Sequence, residues 1–100
     1  MAEKFKINVG VIGVGRLGAF HVEQYQLLNN VNIIGFYDVD KNRSEEIKKK
    51  YHIKSYNSLD EMLGCCDAVS IATPTTSHFK IAKKCIEKDC HVLIEKPITE

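Results

Sequence analysis

Three glycines near the start of the chain have the spacing of a phosphate-binding loop. Gly13, Gly15 and Gly18 form the pattern G-x-G-x-x-G directly after the apolar run at 7–12. In such a loop the first glycine permits a tight turn, the second lets the backbone approach a pyrophosphate, and the third lets a helix pack closely on a strand. The N-terminus of that helix offers unpaired N–H groups and partial positive charge to the phosphates. The spacing therefore predicts a dinucleotide site.

Two side chains lie between the second and the third glycine. Arg16 allows two interpretations, a contact with the pyrophosphate or a solvated residue at the start of a helix. Leu17 follows it in the same loop, and we include both residues in the predicted cofactor site. The alternative for the whole loop is a glycine-rich turn in an α/β protein that binds a flavin or another nucleotide.

An acidic residue stands at the position that would contact the adenosine ribose. Asp38 follows the second apolar run, about 20 residues after Gly18, which is close to the spacing of a dinucleotide fold. Its carboxylate can accept hydrogen bonds from the ribose hydroxyls and would repel a 2′-phosphate. Asp38 therefore predicts NAD as the cofactor, with NADP less favoured, although Lys41 and Arg43 nearby weaken this preference.

Lys96 has a side chain suited to alcohol oxidation, and it directly follows the last predicted strand. Hydride transfer from an alcohol requires removal of the hydroxyl proton and stabilisation of the charge that develops on the oxygen. A lysine at the carboxyl end of a parallel strand lies on the side of the sheet where open α/β folds bind ligands. A partly desolvated ammonium is also suited to proton transfer. The spacing alone leaves a solvated surface lysine as an equal alternative.

The elements that must position these residues alternate between strand-like and helix-like segments. Strands are predicted over 7–12, 31–37, 53–56, 67–72 and 91–94, and helices over 16–28, 42–50, 58–64 and 76–88. Asp40 is the predicted N-cap of the second helix, and Ser58 with Glu61 forms a capping box at the start of the third. This alternation is typical of a parallel sheet with helices on both faces. Since right-handed crossovers leave few topologies, we expect an α/β fold, a Rossmann-like doubly wound sheet of five strands in the order 3-2-1-4-5.

Apolar spacing predicts which side of the two longest helices faces the sheet. On the first helix the apolar positions are Leu17, Phe20, Leu27 and Leu28. On the last helix they are Phe79, Ala82, Cys85 and Ile86.

The overall composition argues against several classes of protein. The chain has 14 basic and 13 acidic residues and no basic stripe that would indicate nucleic-acid binding. The lysines at 48–50 fall at a predicted helix end, where cations interact well with the helix dipole. No apolar run approaches the roughly 18 residues that a membrane span needs, and the start does not resemble a signal peptide. We therefore expect a cytoplasmic protein with no nucleic-acid or membrane partner.

The four cysteines do not indicate a metal site. Cys65, Cys66, Cys85 and Cys90 match no common zinc spacing. A cytosolic chain would keep its thiols reduced. We interpret these residues as small hydrophobes in the core and predict no metal.

Two further segments resemble the Gfo/Idh/MocA oxidoreductase family, named for glucose–fructose oxidoreductase and inositol 2-dehydrogenase. One is the run 72–78, Ala-Thr-Pro-Thr-Thr-Ser-His, after the fourth predicted strand, and the other is Glu-Lys-Pro at 95–97, after the fifth. Together with the glycine loop they extend the resemblance over essentially the whole chain.

This resemblance implies a role for each matching position. The three glycines would hold the pyrophosphate and Asp38 the adenosine ribose. Glu95 would lie beside the nicotinamide ribose, and Lys96 would face the substrate as the catalytic residue. The residues near the nicotinamide half would be Thr73, Pro74 and His78. For His78, a packing role on its helix is an equal alternative.

The resemblance also implies a two-domain protein. The family's second domain, an open antiparallel sheet that carries most of the substrate pocket, has no counterpart in residues 1–100. We expect these residues to be the dinucleotide-binding domain of a longer protein, inactive alone, that forms homo-oligomers through the second domain.

The expected function is that of an NAD(P)-dependent dehydrogenase. It would transfer hydride to or from a CH–OH or C=O group of a small molecule such as a sugar or inositol. The alternatives are a non-catalytic dinucleotide-binding sensor and a reductase of another substrate class.

Overall fold

The computed structural model describes residues 7–73 and 75–94, which form four strands and four helices. The strands are β1 (Ile7–Ile12), β2 (Val31–Tyr37), β3 (Ala68–Ile71) and β4 (His91–Ile94). The helices are α1 (Arg16–Gln26), α2 (Lys41–Tyr51), α3 (Leu59–Leu63) and α4 (Thr75–Glu87). All pairs of neighbouring strands are parallel, and the order in the sheet is β2-β1-β3-β4. The predicted α/β class and the parallel Rossmann-like sheet are confirmed.

The prediction of five strands in the order 3-2-1-4-5 is wrong, because the described residues contain four. The segment predicted as the third strand does lie beside β2, but it makes a single parallel bridge between Ser55 and Phe36. Two backbone hydrogen bonds hold it there, from Phe36 to Lys54 at 3.0 Å and from Tyr56 to Phe36 at 2.8 Å. His52 ends α2 in the left-handed conformation and Ser58 begins α3. Between these two caps, pairing with β2 is limited to this one bridge and its two hydrogen bonds.

Helices cover both faces of the sheet. Along β1, Val11 belongs to one buried cluster and Ile12 to the other, as expected when alternate residues point to opposite faces. The α1–α2 cluster consists of Val11, Val14, Ala19, Val22, Phe36 and Ile47. The α3–α4 cluster consists of Ile12, Tyr56, Met62, Leu63, Val69, Ile71, Cys85 and Cys90. The doubly wound arrangement is therefore present.

A bulge in β2 changes which face its last residues occupy. Val9 pairs with Ile33, whereas the next residue, Gly10, pairs with Gly35, so that β2 contains one extra residue. Ile33 and Phe36 consequently pack on the same face although they are three residues apart. Gly35 has a φ of +154°, and a Cβ there would lie 2.6 Å from the carbonyl oxygen of Lys54. Glycine at this position permits both the bulge in β2 and the close approach of the segment at 53–56.

The predicted inner faces of the two longest helices are only partly correct. Phe20 is 54% exposed and Leu27 is 75% exposed, while Ala19 and Val22 are buried against the sheet. Gly18 packs against the loop, and Val22 follows it by one helical turn on the same side. The position of Gly18 therefore fixes the rotation of α1, and Phe20 and Leu27 point outward. On α4, Cys85 is buried but Ile86 is exposed.

The starts of α2 and α3 carry the predicted caps. Asp40 accepts a hydrogen bond from the backbone N–H of Arg43 at 3.0 Å. Ser58 accepts one from the backbone N–H of Glu61 at 3.3 Å. The three lysines at 48–50 lie in the last turn of α2. Within the parts of the chain that the structure describes, no helix is both long and apolar enough to cross a membrane.

Candidate dinucleotide site

The main candidate site is a cavity of about 440 Å³ at the carboxyl ends of β1, β2 and β3. Its lining residues are Ile12, Gly13, Gly15, Tyr37, Asp38, Val39, Ala72, Thr73 and Ile81. It lies at the point where the strand order of the parallel sheet reverses, since β2 is on one side of β1 and β3 on the other. Open α/β sheets bind ligands at this type of crevice.

Gly13 makes the tight turn that leaves β1. Its φ is +89°, and a Cβ there would lie 2.9 Å from Cγ2 of Thr73 and 3.1 Å from the carbonyl carbon of Ala72. Its N–H donates to the carbonyl of Tyr37 at 2.8 Å, which ties the turn to the end of β2. Both the conformation and the space around it require glycine.

Gly18 brings α1 into direct contact with this turn. A Cβ on Gly18 would lie 1.7 Å from the carbonyl oxygen of Gly13, far inside van der Waals distance. Since Gly18 is inside a helix and Gly13 follows a strand, this contact sets the angle at which α1 leaves the sheet. The third glycine of the pattern thus allows the helix to pack closely on the strand.

Gly15 differs from the other two glycines, because the space beside it is open. It is the N-cap of α1, and no heavy atom lies within 4 Å of the position that a Cβ would take. Among the side chains that the structure describes, none caps α1. The first N–H groups of a helix have no partner within the helix, so an anion at this end would be stabilised by donors and by the dipole. A pyrophosphate fits both the space and the charge.

Asp38 lies at the edge of the same cavity and has two backbone donors. Its Oδ2 accepts from the N–H of Val14 at 2.7 Å, and its Oδ1 accepts from the N–H of Asp40 at 2.8 Å. Each oxygen of an ionised carboxylate can accept a further hydrogen bond. Asp38 can thus brace the glycine loop and still receive ribose hydroxyls. The sequence did not indicate the bracing role.

Arg43 is a second residue whose role the sequence did not indicate. Its Nε donates to the carbonyl of Val14 at 2.7 Å, and its Nη1 contacts Oε1 of Glu46 at 3.3 Å. Sequence reasoning placed Arg43 near the adenosine end only as a modifier of the cofactor preference. Because Arg43 and Val14 are 29 residues apart in the chain, no local sequence pattern could have predicted this hydrogen bond.

The remaining predicted residues are less completely described. Thr73 lines the cavity, and its methyl group faces Gly13. Arg16 begins α1, Leu17 follows it, and His78 lies in α4, but the described residues do not include the side chains of these three. Pro74, Glu95 and Lys96 lie outside the described residues.

Three of the cysteines are partly or fully buried, as the sequence predicted. Burial raises the pKa of Cys66 to about 12 and the pKa of Cys85 to about 11. Cys90 is also buried, and burial raises its pKa as well. These thiols are neutral near pH 7 and therefore weak nucleophiles. Cys65 is exposed. Among residues 7–73 and 75–94, no cluster of three or more histidine, cysteine or acidic residues has the geometry to hold a metal ion.

The fold and the glycine loop define the class of the domain. A parallel sheet covered on both faces, with this loop between β1 and α1 at the crevice, is a Rossmann fold. The chain belongs to the Gfo/Idh/MocA oxidoreductase family with an NAD-binding Rossmann fold, whose family model matches residues 7–100. This confirms the resemblance seen in the sequence, and with it NAD as the family's cofactor.

Several relatives are named dehydrogenases. The chain is 39% identical over 93 residues to the UDP-N-acetylglucosamine 3-dehydrogenase of Acidithiobacillus ferrooxidans, covering 93% of this chain and 29% of that protein. It is 30% identical over 96 residues to the myo-inositol 2-dehydrogenase of Thermotoga maritima, again covering 93% of this chain and 29% of the relative.

A solved structure with bound cofactor is also similar. GenD2 from gentamicin A biosynthesis in complex with NAD superposes with a TM-score of 0.87 at 27% identity, covering 96% of this chain and 28% of GenD2. The chain thus spans less than a third of the length of these relatives.

Proposed function

We propose that the cavity beside Gly15 and Asp38 binds NAD(H), and that the chain is the dinucleotide-binding domain of a longer dehydrogenase. The observation that carries this proposal is the uncapped start of α1 beside open space, in the same cavity as the Asp38 carboxylate. The loop backbone would bind the pyrophosphate, and Asp38 would bind the adenosine ribose. The family membership and the NAD complex of GenD2 support the choice of cofactor.

The proposed reaction is oxidation of a CH–OH group, or its reverse, on a sugar, an inositol or a related small molecule. Bound NAD supplies the hydride acceptor. The names of the relatives support this substrate class, since two act on a nucleotide sugar and on myo-inositol. The rest of the protein would supply most of the substrate pocket. We also propose that the whole protein is cytoplasmic and forms homo-oligomers, and both remain predictions from the sequence.

We propose Lys96 as the catalytic residue, with Glu95, Pro74, Thr73 and His78 near the nicotinamide half of the cofactor. Lys96 follows β4, which is the neighbour of β3, and β3 ends at the cavity. During oxidation its neutral amine would accept the hydroxyl proton of the substrate, and in the reverse reaction its ammonium would donate a proton to the reacting oxygen. These assignments rest on the family resemblance and on the order of the strands.

Titration with NADH and NADPH, followed by nicotinamide fluorescence, tests cofactor binding. We expect tighter binding of NADH, and Asp38→Ala should weaken it by about tenfold or more, the usual loss for hydrogen bonds to a charged group. Asp67→Ala is the matched control, because Asp67 also accepts a backbone N–H, from Asn8 at 2.9 Å, but at the opposite end of the sheet. The absence of NADH binding by a folded wild-type chain would refute the proposal.

Catalysis is tested separately in the full-length protein. Lys96→Ala should abolish turnover of polyol and sugar substrates while NADH still binds. If the wild-type protein turns over none of these substrates, and Lys96→Ala binds NADH as tightly as the wild type does, the protein would instead be a dinucleotide sensor.

A further inference from the structure

The peptide groups on either side of Val14 are held by side chains from the β2–α2 region. The N–H of Val14 donates to Oδ2 of Asp38 at 2.7 Å, and the carbonyl of Val14 accepts from Nε of Arg43 at 2.7 Å. The side chain of Val14 is fully buried in the α1–α2 cluster. The backbone of the glycine loop is therefore fixed from two directions at the residue before Gly15.

These contacts belong to a closed ring of four hydrogen bonds. Asp38 accepts from the N–H of Asp40 at 2.8 Å, and Asp40 accepts from the N–H of Arg43 at 3.0 Å. The side chain of Arg43 then reaches Val14, and Val14 returns to Asp38. Each member is thus oriented by its neighbours, and the ring joins the ribose end of the site to the glycine loop.

The bond from Arg43 sets the direction of a donor in the loop. A peptide group is planar and trans, so the N–H of Gly15 points away from the Val14 carbonyl in the same plane. When Arg43 holds that carbonyl on the side of α2, the Gly15 N–H is directed away from α2. Gly15 itself lines the cavity.

We propose that Arg43 is a positioning residue of the dinucleotide site, which holds the Val14–Gly15 peptide in the orientation that binds the pyrophosphate. This inference rests on the proposed NAD(H) function. The guanidinium suits the role because it is always charged and donates in a fixed plane. The guanidinium also contacts Glu46, which lies three residues further along the same helix. This ion pair is at the surface and contributes little to the stability of the fold.

The experiment compares four variants of the chain with the wild type. Arg43→Gln removes the charge and the Nε donor, and Arg43→Lys keeps the charge without the planar donor. Glu46→Gln removes only the exposed ion pair. Lys41→Gln removes an exposed cation from the same first turn of α2. The readouts are the Kd for NADH, the 1H–15N amide resonances of Val14 and Gly15 without cofactor, and thermal unfolding by circular dichroism.

We expect Arg43→Gln to raise the Kd for NADH by about tenfold or more and to shift the Gly15 amide resonance in the cofactor-free chain. Arg43→Lys should recover only a small part of this affinity. Lys41→Gln and Glu46→Gln should bind NADH within about twofold of the wild type, as surface changes usually do.

The outcomes separate this inference from the proposed function. A folded wild type that does not bind NADH refutes both. A wild type that binds, with Arg43→Gln binding equally well, refutes the positioning role alone. If Lys41→Gln weakens binding as much as Arg43→Gln does, the effect is one of net charge and the role is also refuted. Should Arg43→Gln unfold, Arg43→Lys decides, because full wild-type affinity in that variant contradicts the need for the planar donor.

Discussion

The N-termini of α1 and α2 lie on the same side of the molecule but are completed in different ways. α2 begins at Asp40, whose side chain accepts the backbone N–H of Arg43. α1 begins at Gly15, which has no side chain to offer, and open space lies beside it. Every helix start presents donors that the helix cannot satisfy. α2 satisfies one of them with the side chain of Asp40, whereas no described side chain caps α1, whose donors we propose bind the pyrophosphate.

This difference separates helix N-termini that are capped by a side chain of the protein from an N-terminus whose N–H groups could bind a ligand. α3 resembles α2, because Ser58 caps it. The start of α1 combines the missing cap with two glycines whose neighbours leave no room for a side chain, Gly13 and Gly18. The residues around α1 thus fix the position of the loop and leave its donors open.

The largest effect is expected from Gly18→Ala, which tests whether close packing holds the loop at α1. The new Cβ would lie 1.7 Å from the carbonyl oxygen of Gly13, so the backbone must move. We expect a loss of about 4 kcal/mol or more in the free energy of unfolding, measured with urea. Gly64→Ala is the control, because its nearest neighbours lie at 3.6 Å and 3.7 Å. Equal stability of the two variants would contradict the proposed packing.

A smaller effect, on binding alone, is expected from Gly15→Ala. The added methyl group has space and its φ of −68° is ordinary, so the free energy of unfolding should change little. The methyl group would occupy the space that we assign to the pyrophosphate. The Kd for NADH should therefore rise by about tenfold or more in a fluorescence titration. Unchanged affinity would show that the cofactor does not approach Gly15.

The smallest effect is expected from Asp40→Ala at the start of α2. Loss of the cap should lower the free energy of unfolding by about 1 kcal/mol, measured by urea denaturation. Asp40→Asn retains an acceptor oxygen and should lose less. If Asp40→Ala is as stable as the wild type, α2 does not depend on its cap, and the contrast with α1 weakens.

The sequence predicted the features that depend on neighbouring residues. The glycine loop, the acid after β2 and the caps of α2 and α3 are local patterns, and the residues appear where the pattern placed them. The bounds of β1, β2 and β4 were also correct. Each of these strands is a short apolar run that ends at a polar residue or a glycine.

Features that depend on distant contacts were missed. The segment at 53–56 has strand-like residues, but in the structure it makes a single bridge, which depends on its contact with Phe36 of β2. The inner face of α1 follows from the contact of Gly18 with Gly13 rather than from its largest apolar residues. The bond from Arg43 to Val14 joins two elements far apart in the chain. The glycine pattern predicted close packing of α1 but not the rotation of the helix, and the bond from Arg43 to Val14 leaves no pattern in a single stretch of sequence.

The bulge at Gly35 makes the end of β2 sensitive to the number of residues in the strand. Ile33 and Phe36 share a face only because Ile34 is an extra residue opposite β1. Deleting Ile34 would remove the bulge and leave Ile33 and Phe36 on the same face, because they would then be two residues apart in a regular strand. Deleting one residue between Gly35 and Asp38 would instead exchange the faces of the residues that follow and turn Asp38 away from Val14. A change in the length of β2 after the bulge would therefore disconnect the ribose end of the site from the glycine loop.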